Sequence, residues 1–234
     1  TAPGVPEAYA TIMDVGGVST GHLVTSYNGR PTKLEGNPAH PGSLGATTRY
    51  GQASVLDLYD PDRSHEPRHV HDGARARATW DSWDKWATGH FDELRSSDGE
   101  GFWILSESTR SPSVEAQQVQ LRAQFPKATW VTWDPLMNSN EAAGLESAFG
   151  SRFRPVYDLS KASVILSLDA DFLGLHDDML TLSRGWAAGR HPDHGSISRL
   201  YMVESGLSIT GARADDRYAM ASSRIVVLAA RVAA

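Results

Sequence analysis

From about residue 100 onward the chain alternates short apolar runs with helix-length amphipathic ones, and this rhythm constrains the fold more than any other feature. Phe102–Leu105 (FWIL) reads as a buried strand. Ser113–Phe125 reads as a helix that opens on Ser-Pro-Ser and stops at Pro126. Thr129–Trp133 is a second strand and Glu141–Phe149 a helix closed by Gly150. Ala162–Leu168 is a third strand, Asp178–Ala188 a helix, Leu200–Val203 a fourth strand, and Ser222–Ala234 a last helix. Strands and helices in this order imply βαβ units and a mostly parallel sheet.

The first 60 residues have a different character, of strands and loops. Thr20–Tyr27 and Pro31–Glu35 flank Asn28-Gly29, a pair that predicts a type I′ hairpin turn. Gly36–Gly45 is a loop rich in Gly and Pro. Gln52–Tyr59 has the spacing of a short helix that ends at Asp60-Pro61. Residues 60–78 are polar and irregular, and read as a linker or surface excursion. Trp80–Leu94 carries apolar residues at 80, 83, 86, 87, 91 and 94, a helical spacing. The expected fold class is therefore α/β: an N-terminal β-rich portion over residues 1–78, then an α/β portion over 79–234 with a mostly parallel sheet flanked by helices.

Composition excludes several function classes. The 234 residues contain no cysteine, so the chain offers no thiolate for an iron–sulfur cluster, a zinc finger or a disulfide scaffold. A net charge of −6, with no run of Lys and Arg, argues against nucleic acid as a partner. No apolar run approaches the roughly 18 residues of a membrane span. The chain opens on Thr1 rather than Met, so the lack of a signal sequence says nothing about export. Its final apolar run stops inside a helix, and more protein is expected to follow.

The C-terminal ends of strands are where open α/β sheets bind ligands. Here those ends carry Ser106-Glu107-Ser108, Asp134-Pro135, Asp169-Ala170-Asp171 and Glu204-Ser205. Two readings fit these residues. One is a polar pocket; the other is helix capping by Ser and Asp, which needs no ligand. Neither a G-x-G-x-x-G nor a Walker A sequence is present, nor a G-x-S-x-G elbow. His65, His69 and His71 lie close together beside Asp72, and alternate histidines on a rigid backbone can ligate a metal. Arg63, Arg68, Arg75 and Arg77 crowd the same segment and favour a solvated loop with no metal. His191, Asp193 and His194 form a second polar group of the same kind. Seven tryptophans are many for this length. Trp80, Trp83 and Trp86, three residues apart, suit either a packed helix face or a docking surface.

Gly29-Arg30-Pro31-Thr32-Lys33-Leu34-Glu35-Gly36-Asn37-Pro38-Ala39-His40-Pro41 resembles a segment of molybdopterin oxidoreductases of the DMSO-reductase and polysulfide-reductase type. In that family a cysteine-bearing turn follows and ligates a cluster. Here Gly42–Ala53 occupies its place without a cysteine. Tyr9-Ala10-Thr11, Gly45-Ala46-Thr47, Gln52–Arg63, Leu168–Leu173, Glu204-Ser205 and Thr210–Asp215 look like the front domain of the large iron–sulfur subunit of alternative complex III, a bacterial quinol:electron-acceptor oxidoreductase. The resemblance implies a cofactorless, molybdoenzyme-like module that is not catalytic alone. It also implies a structural or docking role in electron transport, other subunits of a membrane-bound complex as partners, export by a twin-arginine signal and a periplasmic location. Two alternatives stay open: a site for molybdopterin guanine dinucleotide at Ser106, Glu107, Asp134, Asp169 and Asp171, or a pocket for a small polar ligand at the same residues.

Overall fold

The computed structural model describes residues 3–15, 17–135, 139–151, 153–191, 193, 195 and 197–234. The chain divides into two compact units. The first joins Thr1–Glu35 to Arg49–Met137, and the second joins Gly36–Thr48 to Asn138–Ala234. The change of character expected near residue 78 thus falls inside the first unit.

In the first unit, β1 (Pro6–Val15), β2 (Val18–Tyr27) and β3 (Arg30–Gly36) form a sheet in that order. Asn28 and Gly29 take φ values of 53° and 78°, the double positive φ of the I′ turn predicted for this pair. The helix expected at Gln52–Tyr59 begins earlier, as α1 (Arg49–Ala53), and tightens into a 3-10 turn over Ser54–Leu58. Residues 60–78 are a correction. They hold a second hairpin, β4 (Arg68–His71) paired with β5 (Ala74–Arg77), turning at Asp72 and Gly73 with φ of 47° and 77°. The Asp-Gly pair encodes this turn as Asn-Gly does the first. The flanking Arg and His mask the signal, because a hairpin exposed on both faces has no apolar alternation to reveal it.

Helix α2 (Trp80–Ser96) starts at a capping box between Thr79 and Ser82. β6 (Trp103–Ser106) and β7 (Thr129–Thr132) pair in parallel and are joined through α3 (Pro112–Gln124), which Ser111 caps. Phe91 of α2, Phe102 and Phe125 pack together, with Phe102 and Phe125 edge to face at 5.4 Å. Gly99, at φ +81°, lets the backbone pass this cluster, since a Cβ there would lie 2.7 Å from the Cβ of Phe125.

The second unit contains α4 (Ser139–Phe149), a 3-10 turn at Leu159–Lys161, β8 (Val164–Leu168) and α5 (Met179–Ala188). β9 (Arg199–Glu204), α6 (Ile209–Arg213), β10 (Asp216–Ala219) and α7 (Ser222–Ala233) follow. Its sheet runs β10-β9-β8, parallel throughout. Phe172, Leu182 and Leu200 form the core, with Leu159, Ile165, Leu173, Trp186 and Ala214 against them. The α/β class holds, but the strands after residue 100 divide between two small parallel sheets rather than joining one. No helix among the described residues is long and apolar enough to cross a membrane.

Candidate functional site

The strand-end residues fall on both sheets, in both units. Ser106, Glu107 and Asp134 follow β6 and β7; Asp169, Asp171 and Glu204 follow β8 and β9. In the first unit, Ser106 Oγ accepts the indole N–H of Trp130 at 2.8 Å, and Ser108 Oγ donates to Asp134 at 3.2 Å. Glu107 is exposed. Behind this loop stands Gly17, at φ +76°, where a Cβ would lie 2.3 Å from the carbonyl oxygen of Ser108.

The carboxylates of the second unit are tied together more tightly. Asp169, at a positive φ of 55°, accepts the Ser205 N–H at 3.1 Å and the Ser222 hydroxyl at 3.1 Å. It thereby joins the end of β8 to the loop after β9 and to the first turn of α7. Asp171 accepts both the N–H and the hydroxyl of Thr210, at 2.9 and 2.7 Å, while the hydroxyl oxygen of Thr210 accepts the Leu173 N–H. Glu204 is buried at the end of β9; it accepts the Ser208 N–H and the Arg217 Nε–H. Burial pushes its carboxyl pKa up, but the hydrogen bonds from Ser208 and Arg217 outweigh that and leave it below its usual value. Gly211 is required beside it, because a Cβ there would lie 1.9 Å from Glu204 Oε1.

A further pair was not singled out from sequence. Arg190 grips Asp215 with two parallel hydrogen bonds of 2.7 and 2.9 Å, and Leu200 donates its N–H to the same carboxylate at 2.8 Å. The Arg190 bond is the main reason that the Asp215 pKa falls to about 2. No local signal links residues 25 apart in a loop and a helix end; only the fold joins them.

These contacts define what the strand ends do chemically: the oxygens of Asp134, Asp169, Asp171 and Glu204 are acceptors engaged by serine, threonine, arginine and backbone donors, while Glu107 is exposed. The same chemistry tests the fit to molybdopterin guanine dinucleotide. Its pyrophosphate calls for N–H donors and cations, whereas Glu107, Asp134, Asp169 and Asp171 offer acceptors bearing like charge. These residues do not supply the donors that the pyrophosphate calls for.

The histidine groups divide. His69 and His71 stack at 6.2 Å on β4, and His71 Nε2 lies 3.4 Å from Asp72. His65 faces the Pro61 carbonyl at 3.3 Å. His191 pairs with Asp193 at 3.5 Å, and His194 lies outside the described residues.

The tryptophans of α2 are exposed: Trp80, Trp83 and Trp86 are 68%, 47% and 58% open. At 100° per residue, positions 80, 83, 87, 91 and 94 form one apolar stripe. Phe102 and Phe125 cover that stripe at Phe91, while Trp80 and Trp83 are exposed. Trp86 lies to one side, stacked on His90 at 4.9 Å. One face of the β6–β7 sheet is open as well, with Trp103, Leu105, Val131 and Trp133 exposed.

Sequence comparison supports a distant relation, and no more, to molybdopterin-oxidoreductase-like subunits. The chain is similar to the menaquinone reductase, molybdopterin-binding-like subunit of Nitratidesulfovibrio vulgaris, at 25% identity over 203 residues. The match covers 84% of this chain and 28% of that protein, so the chain spans little more than a quarter of its relative's length. No family profile matches the chain.

Proposed function

We propose that the chain is a cofactorless, molybdopterin-oxidoreductase-like module of a bacterial respiratory quinol:acceptor oxidoreductase, with a docking rather than a catalytic role. In this reading it belongs to a complex of the alternative complex III type. It is exported by a twin-arginine signal and stands on the periplasmic side of the inner membrane, held by other subunits. The observation that carries the reading is the uncovered apolar surface of the first unit: the open end of the α2 stripe and the bare face of β6–β7. Parallel strands are ordinarily covered on both faces, and exposed aromatic residues are enriched where proteins dock. The lack of cysteine and the engaged state of the strand-end carboxylates support the cofactorless part.

Two measurements test it. Metal analysis and pterin extraction of the purified chain are expected to find neither molybdenum nor pterin in stoichiometric amount; recovery of either overturns the cofactorless claim. The double variant Trp83→Ser, Trp103→Ser is expected to abolish co-purification with partner subunits while leaving the circular dichroism spectrum intact. Undiminished co-purification overturns the docking claim.

A further inference from the structure

We propose that His69 and His71 form a surface site for a divalent transition-metal ion of the copper, nickel and zinc type. The site is independent of the docking surface and of the strand-end carboxylates.

The argument begins with strand geometry. Residues two apart on a β-strand project from the same face, so His69 and His71 share one face of β4. Their cross-strand partners are Ala76 and Ala74, respectively. Both partners are small, and the face above the imidazoles is open to solvent. Arg68, Arg75 and Arg77 fall on the opposite face by the same register. Glu66 pairs with two of them, Arg77 at 2.9 Å and Arg68 at 3.7 Å, and so offsets the charge that would oppose a cation. The crowding by arginine that favoured a metal-free reading of the sequence therefore lies on the wrong side of the hairpin to block the site.

Rigidity is the second requirement. The two histidines sit on a four-rung antiparallel ladder closed by the Asp72-Gly73 turn. The rings are near parallel, 22° apart, with centroids at 6.2 Å. Imidazole nitrogen binds these metals at about 2.0–2.1 Å, so two ligand atoms on one tetrahedral ion lie about 3.4 Å apart. The ring centroids stand farther apart than that, and His71 Nε2 makes an exposed ion-pair contact with Asp72 at 3.4 Å. Among the described residues no group of three or more His, Cys, Asp or Glu side chains could hold a metal ion, so the site has two protein ligands. In the proposed site two imidazoles hold the ion and water completes the shell. Both rings are exposed, so rotation about their side-chain torsions can bring the two nitrogens to one ion. Imidazole ligands select copper, nickel and zinc over magnesium and calcium, and copper(II) binds most tightly in that series.

The test is calorimetric titration of the intact chain with CuCl2, NiCl2 and MgCl2, with electron paramagnetic resonance of the copper-loaded sample. One copper(II) per chain is expected, with hyperfine coupling to two nitrogen nuclei, weaker nickel binding and no magnesium binding. His69→Ala and His71→Ala are each expected to lower copper affinity by about tenfold or more, since loss even of an outer-shell partner costs roughly that much. His65→Ala and His191→Ala are expected to leave it unchanged. Acidification to pH 5.5 is expected to weaken binding, because protons compete for the ligating nitrogens. Copper affinity unaltered in both the His69 and the His71 variants, or a spectrum without two-nitrogen coupling, overturns the proposal. The substituted side chains are exposed, so circular dichroism of each variant verifies that the fold is retained.

Discussion

The two parallel sheets are built in the same strand–helix–strand order, yet they differ in what covers them. In β9 of the second unit, Leu200, Met202 and Val203 are 0%, 1% and 3% exposed, and even Glu204 is buried. In β6 of the first unit, Trp103 and Leu105 are 67% and 71% exposed. The difference lies in the neighbours. β9 is a central strand with β8 and β10 on either side, and Phe172 and Leu182 pack on Leu200. β6 has one partner strand, and the face that bears Trp103 and Leu105 is left open. Apolar composition alone therefore does not distinguish a buried strand from an exposed one; the number of covering elements does.

Four substitutions press on this comparison. Leu200→Ala removes a side chain with no exposed surface, and is expected to cost about 3 kcal/mol, which lowers the melting temperature by roughly 6–12 °C for a chain of this length. The apolar Leu105→Ala change in the exposed strand should cost less than about 0.5 kcal/mol. Parallel thermal melts compare them, and similar losses for both would refute the contrast. Acid acts next. The Asp215 pKa is about 2 in the folded chain against 3.8 for the free group. A lowered folded pKa contributes stability that is present above the unfolded value and lost as pH falls toward the folded one. About 2 kcal/mol is thus expected to disappear between roughly pH 4 and pH 2. In Asp215→Asn that acid-dependent component should be missing from urea midpoints measured across the range. The smallest effect is expected from Trp83→Ala, within about 0.5 kcal/mol in stability because the side chain is exposed. A large loss there would mean that the open end of the α2 stripe is packed in solution.

Some of this architecture is written locally and some is not. The Asn28-Gly29 turn, the Ser111 cap with Pro112 behind it and the stop at Gly150 are each fixed by a few adjacent residues, and all are legible in the sequence. The β4–β5 hairpin is hidden because Arg, His and Ala on its two exposed faces show no apolar period. β10, Asp216–Ala219, is short and polar, and its identity as a strand comes from pairing with β9. Whether four apolar strands join one sheet or two depends on partner choice, which no local pattern records. At the strand ends the carboxylates are visible in the sequence, but their donors are not. Thr210 lies 39 residues from Asp171, and Ser222 lies 53 from Asp169. The Trp80, Trp83 and Trp86 spacing is equally silent about whether anything lies against it.

The second unit is discontinuous: residues 36–48 belong with residues 138–234, and Arg184 reaches back across 140 positions to the carbonyl of Leu44. This has a consequence for the order of assembly on the ribosome. Residues 36–48 emerge early and must wait for about 90 residues of the first unit before residue 138 is made, a delay of roughly 5–20 s at ordinary rates of synthesis. By the end of that interval the first unit has all of its own chain, while the early segment of the second has had none of its partners. The two units are thus interleaved along the chain, and the first can close before the second has its remaining residues.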